Sequence, residues 1–194
     1  MYLDTYEQVI RDFLWKGHVQ GHGGAKVAWR NVAKPLSEGG LGIKRLSEWN
    51  TAAITKLMWQ LLQPRTTSVW AIWVKANLLK GRSFWDVPVP QDCSWTWRKV
   101  LSLRNQFRPY FRSVLGNGRE VFLWFDYWLP MGPLQSTFGN DQIEESGLHR
   151  NTKVSAIIRN GQWNWPWSSS EDLCTIRRAI RDQPIPSGGE LDTI

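Results

Sequence analysis

Apolar residues recur at helical spacing over the first hundred positions, and the elements follow from where that spacing starts and stops. Leu3, Tyr6, Val9, Ile10, Phe13 and Leu14 predict a helix over 3–15, with Glu7, Arg11 and Asp12 between them. The glycine-rich run 17–24 ends it in a loop. Lys26 to Ala33 reads as a short helix limited by Pro35, and Gly39-Gly40 as a turn. Ser47 is a suitable N-cap, with Glu48 in the first turn, for a helix that Pro64 closes. Its stripe of Trp49, Ala53, Leu57 and Leu61 is expected to be buried. Thr67 or Ser68 caps a further helix carrying Trp70, Trp73, Val74 and Leu78, which Gly81 ends. Ser94 caps another, with Trp97, Val100, Leu101 and Arg104 on one side, ending before Pro109.

Near Tyr110 the period changes from 3.6 to 2. Tyr110–Leu115 and Arg119–Trp124 flank Gly116-Asn117-Gly118, and Asn-Gly supplies the two positive φ angles of a type I′ turn, so an antiparallel hairpin is expected there. Residues 129–150 read mostly as loop. Thr152–Arg159 reads as one short helix stopped by Gly161. Trp163-Asn164-Trp165-Pro166-Trp167 is extended because Trp165 precedes a proline. Ser170 caps a last helix with Leu173, Ile176 and Ile180 inward, and the tail from Pro184 frays. The fold class expected is helix-dominated α+β. A thumb-like helical unit spans 1–80, a Trp-rich unit with a hairpin and terminal helix spans 81–183, and 184–194 is tail.

Composition narrows the function classes. The 194 residues carry 14 tryptophans and a net charge of +7. Residues 1–120 hold 18 Lys/Arg against 8 Asp/Glu, whereas 121–194 hold 6 against 9. A basic first part points to a polyanionic partner. No run of 18 apolar residues would span a membrane, and no basic flank with an apolar core follows Met1 as in a signal peptide. Cys93 and Cys174 lack a CxxC partner, which implies neither a disulfide framework nor a cysteine zinc site and makes a reducing, intracellular compartment the expectation.

Local chemistry is sparse. His18 and His22 stand at i,i+4 but among glycines, without the helix or adjacent Glu that metal ligation at that spacing needs. Asp126, in Trp124-Phe125-Asp126-Tyr127-Trp128, could have a raised pKa and act as a general base, but no second carboxylate is near in sequence. Capping the end of the hairpin strand is the simpler role. Gly39-Gly40-Leu41-Gly42 lacks the ending of a phosphate loop and reads as a turn. Trp49, Trp59, Trp70 and Trp73 are assigned to the core. Trp163, Trp165 and Trp167 could form an open stacking row or a lid over the hairpin, and the lid is favoured. Lys16, Lys26, Arg30, Lys34, Lys44 and Arg45 lie in loops and at helix ends, which suits sequence-blind phosphate contacts.

Phe13-Leu14-Trp15-Lys16-Gly17, Lys26-Val27-Ala28-Trp29, Glu38-Gly39-Gly40-Leu41-Gly42-Ile43, Trp49-Asn50-Thr51-Ala52-Ala53, Leu115-Gly116-Asn117-Gly118, Leu123-Trp124-Phe125-Asp126-Tyr127-Trp128-Leu129 and Gly161-Gln162-Trp163-Asn164-Trp165-Pro166 occur in that order. Together they resemble the segment that follows the polymerase core in non-LTR (LINE-type) retrotransposon reverse transcriptases, particularly plant copies, over about residues 8–167. The resemblance implies a helical thumb that holds the template–primer duplex, followed by a Trp-rich link to a zinc-binding domain. The polymerase Asp-Asp motif and the Cys/His cluster of that family are absent from this sequence. The expectation is therefore a non-catalytic piece or remnant of a retroelement frame, with no cofactor, metal or small-molecule substrate of its own. It would bind duplex or RNA–DNA hybrid backbone weakly through the six basic residues. The alternative is a Trp-rich protein-interaction or carbohydrate-binding module.

Overall fold

The computed structural model describes residues 2–16, 26–166, 170–186 and 189–194, with side chains from Thr5 onward. His18, His22 and the rest of the 17–24 loop, together with Trp167, thus lie outside the described residues. The architecture is helix-dominated α+β, as expected. The helices are α1 (Tyr2–Lys16), α2 (Trp29–Val32), α3 (Leu46–Leu62), α4 (Val69–Val74), α5 (Trp95–Phe107), α6 (Leu134–Phe138), α7 (Asp141–Glu145) and α8 (Glu171–Arg181). One antiparallel pair joins β1 (Ile158–Arg159) to β2 (Gln162–Trp163). The chain divides into two compact units, Met1–Lys56 and Leu57–Ile194. The expected boundary after residue 80 falls inside the second unit.

In the first unit α3 begins one residue before the expected cap. The Glu7 carboxylate of α1 accepts from the backbone N–H and the Oγ of Ser47, at 3.2 and 3.3 Å, so an acid from another helix does the capping. Between α2 and α3 the chain folds back on itself: Leu41 N–H donates to Val32 O at 2.8 Å and Gly42 N–H to Lys34 O at 2.9 Å. A Cβ on Gly40 would lie 2.1 Å from the Lys34 carbonyl oxygen, so only glycine closes this knot. Gly39-Gly40-Leu41-Gly42 is a turn, as read.

The second unit is built on aromatic packing. Phe84 contacts Trp85 and Trp97, Trp85 contacts Phe111, Trp124 meets Trp165 edge-on at 5.8 Å, and Trp128 meets Trp163 at 6.1 Å. Trp124, Leu123, Leu173, Ile176 and Ile180 are buried at its centre. The helix starts follow the sequence: Ser68 Oγ accepts from Ala71 N–H at 3.4 Å and Ser94 Oγ from Trp97 N–H at 3.2 Å. Ser94→Ala is expected to cost about 1 kcal/mol, read as a lower urea midpoint at unchanged slope.

Several expectations are corrected. The hairpin at 110–124 does not form; that region is a loop with isolated bridges, Val114 to Thr193 and Phe122 to Lys153. The hairpin turns instead at Asn160-Gly161, with φ of 52° and 67° and Ile158 opposite Trp163. The amides of the first Asn-Gly are engaged elsewhere, as described below. Val154–Ile157 is a 3₁₀ turn leading into β1, and 129–150 contains α6 and α7. On α3 the buried positions are Ile54, Met58 and Leu61, while Trp49 is 54% exposed and Ala53 is exposed. This helix is apolar on more than one side, so its spacing could not select the face. Trp59 and Trp73 are exposed too, rather than core. The tail does not simply fray: Val114 and Thr193 exchange two backbone hydrogen bonds, at 2.9 and 3.1 Å. No helix among the described residues is long and apolar enough to cross a membrane.

Candidate nucleic-acid interface

All six basic residues singled out in the sequence belong to the first unit. Lys26, Arg30 and Lys34 lie on and beside the glycine-closed knot, exposed, and make no ion pair among the described residues. Lys44 sits with its Nζ over the ring of exposed Trp49, 3.9 Å from the centroid, so the cation covers one face of an otherwise exposed aromatic. Arg45 is paired with Glu48 at 2.7 Å, and Lys16 with Asp12 at 3.2 Å. An exposed pair such as Arg45–Glu48 contributes about 0–1 kcal/mol and competes weakly with a phosphate, whereas the Lys16–Asp12 pair is half-buried. The amide of Ser47 near the start of α3, which an anion would otherwise use, is already taken by Glu7.

Basic residues of the second unit hold the fold. Arg104 donates to the carbonyls of Phe84 and Val87, and Arg108 to Phe125 O at 2.6 Å and Ser136 Oγ at 2.9 Å. Arg150 grips Asp86 through two bonds of 2.6 Å. Such guanidinium groups satisfy loop carbonyls and carboxylates that no ladder pairs.

Asp126 makes the local hydrogen bond expected of a capping residue, although not on a hairpin strand. Its Oδ2 accepts from Phe122 N–H at 2.7 Å and closes the 122–126 turn. Burial pushes its carboxyl up to about 6, against the opposing pull of the Phe122 amide, Lys153, Arg108 and the Trp85 side chain. It lines a cavity of about 270 Å³ together with Lys75, Glu120 and Lys153, between walls that include Phe84, Trp85, Phe111 and Phe122. Lys75 Nζ donates to Gln63 O at 2.6 Å. Lys153 Nζ donates to Glu120 O at 2.6 Å and lies 3.2 Å from the Phe122 centroid. Desolvation holds both ammonium groups below the usual lysine range, partly offset by nearby acids. Sequence reading singled out only Asp126 of this set, because its members come from elements far apart in the chain.

It also missed Asp192. The loop 116–120 turns its amides inward on this one carboxylate: Gly116, Asn117 and Gly118 donate to Oδ1 at 2.8, 3.0 and 2.8 Å, and Glu120 donates to Oδ2 at 2.9 Å. A Cβ on Gly116 would stand 2.2 Å from the Leu191 carbonyl group. The Leu-Gly-Asn-Gly motif therefore builds an anion-holding nest for the chain's own tail. Trp163 and Trp165 pack inward, with Trp163 Nε1 donating to Gln183 O at 3.1 Å, so these two form no open stacking row. No group of three His, Cys, Asp or Glu is placed to hold a metal ion among the described residues.

The chain is 31% identical over 196 residues to an Arabidopsis thaliana protein named "Putative ribonuclease H protein"; the match covers 93% of this chain. The chain spans about 30% of the length of this curated relative. No family model matches the chain. No solved structure matches it.

Proposed function

We propose that this chain is a non-catalytic segment of a retroelement-type reverse transcriptase and that its first unit binds the backbone of an RNA–DNA hybrid or duplex. The observation that carries this is the set of Lys26, Arg30 and Lys34, exposed around a glycine-closed knot, with Lys44 over the ring of exposed Trp49. The Arabidopsis relative's name, a putative ribonuclease H protein, adds a second support for a nucleic-acid partner. Trp49 also modifies the expected contact. The start of α3 offers an exposed aromatic next to a cation, which suits stacking at a strand end as well as phosphate binding. Against the rival reading as a Trp-rich interaction module stand Trp163 and Trp165, which point inward; exposed Trp59, Trp73 and Trp95 speak for it.

The test is a fluorescence titration of a labelled RNA–DNA hybrid over a salt series. With three phosphates neutralised, log K should fall against log[salt] with a slope of about −3, and Kd should lie near ~10⁻⁴–10⁻⁶ M at physiological salt. Changing Lys26, Arg30, Lys34 and Lys44 to Gln should flatten the slope and weaken binding about tenfold or more. Coincident isotherms for the two chains would overturn the reading. Primer extension and hybrid cleavage, run on the same preparation with Mg²⁺, should stay at background; product in either would make the chain an enzyme.

A further inference from the structure

The cavity of the second unit is the feature that neither the fold nor backbone binding uses. Its volume of about 270 Å³ is just below the range of drug-sized pockets, ~300–1,000 Å³, and suits a one- or two-ring ligand. Phe84, Trp85, Phe111 and Phe122 give it aromatic walls. Lys153 already lies over Phe122 and makes one of its three possible donations to Glu120 O. Lys75 likewise spends one donor on Gln63 O. Asp126 has given Oδ2 to the Phe122 amide and keeps further lone pairs. Spare donors and a spare acceptor thus share a chamber whose walls are mostly apolar. The exposed members of the lining, Gly81, Arg82, Glu120 and Thr193, mark its mouth.

This chemistry excludes several ligands. A free phosphate or other compact polyanion would meet Asp126 and Glu120 and gain nothing from the aromatic walls. An alkyl chain would leave the lysines and the carboxylate without partners. A neutral planar ring with both donors and acceptors on its edge satisfies both halves of the chamber. We propose that the cavity receives the unpaired base of a single-stranded nucleotide, the ring lying against the aromatic walls and its edge meeting Lys75, Asp126 and Lys153. Arg82 stands at the mouth, where the nucleotide's phosphate would pass; its Nε and Nη2 hold the Leu79 and Leu78 carbonyls, and Nη1 is left for that contact. The inference rests on the nucleic-acid reading above but uses different residues in a different unit.

The experiment uses the full chain and two ten-nucleotide single strands that are abasic at nine positions, one with a central 2-aminopurine and one abasic there as well. The expected result is that the fully abasic strand binds about tenfold more weakly, the factor base–aromatic stacking carries, and that 2-aminopurine emission changes on binding. Asp126→Asn should reduce the ratio of the two affinities about fivefold. The ratio is read within each protein, so partial loss of folding lowers both arms and leaves it unchanged. Equal affinity of the native chain for both strands overturns the proposal. If the hybrid titration shows no salt-dependent binding while the base-dependent ratio persists, the cavity stands and the backbone reading falls.

Discussion

Asp192→Ala will destabilise the second unit by about 3 kcal/mol, seen as a fall in the urea midpoint with little change in slope. The carboxylate is 3% exposed and holds four backbone amides between 2.8 and 3.0 Å. Bonds to a charged acceptor contribute about 1.5–3 kcal/mol each, but they share one ion, and an opened loop lets water reach the freed amides, so the loss is smaller than their sum. Asp192→Asn grades the effect. Its remaining oxygen can keep the Gly116, Asn117 and Gly118 amides, while the amide nitrogen faces the Glu120 N–H, for a cost of about 1 kcal/mol. Burial pushes the Asp192 carboxyl up, and the four donors more than offset this, leaving it below its ordinary value. Its contribution is therefore fully present above the ordinary carboxylate range and is lost as pH falls through the lowered native value. An alanine variant with the native urea midpoint at pH 7 would show that the nest is not a structural clamp.

What the sequence revealed was what depends on neighbours along the chain. The Ser68 and Ser94 caps and the inward stripe of α8 are set within one or two turns, and they appear where the pattern placed them. The hairpin shows the limit. Both Asn117-Gly118 and Asn160-Gly161 carry the same turn chemistry, and only the second becomes a turn between paired strands. The difference is Asp192, more than seventy residues from the first pair, which claims its amides. The face of α3 was illegible for another reason. Trp49 and Ala53 are as apolar as Ile54 and Met58, one position round the helix, and only the packing partners decide between them. The basic residues of the first unit were legible as charges but not as a surface. Only the fold separates Lys26, Arg30 and Lys34 from Lys16 and Arg45, which already have acidic neighbours. The cavity draws its lining from residue 61 to residue 194, so no local pattern could announce it.

Between pH 4 and pH 7 the stability of the second unit will carry a component that falls as pH rises, and Asp126→Asn will remove it. In the folded chain the Asp126 carboxyl sits at about 6, against an ordinary value of 3.8, chiefly because burial disfavours its charged form. A raised native value means that the folded state binds a proton that the unfolded state has released. The associated stability is fully present below about pH 4 and is lost as pH rises through about 6. The whole effect amounts to about 3 kcal/mol. Lys153 and Arg108 oppose the shift without cancelling it, since each is itself desolvated and held to backbone carbonyls. Asp192 acts with the opposite sign and at lower pH, so the two carboxylates separate on the pH axis. An asparagine at 126 cannot ionise, and its oxygen can still accept from the Phe122 amide at the 2.7 Å that the carboxylate now spans. The variant should therefore match the native chain near pH 4 and exceed it at pH 7.5 in thermal midpoint. Parallel curves for the two chains from pH 4 to 8 would mean that Asp126 titrates alike in the folded and unfolded states.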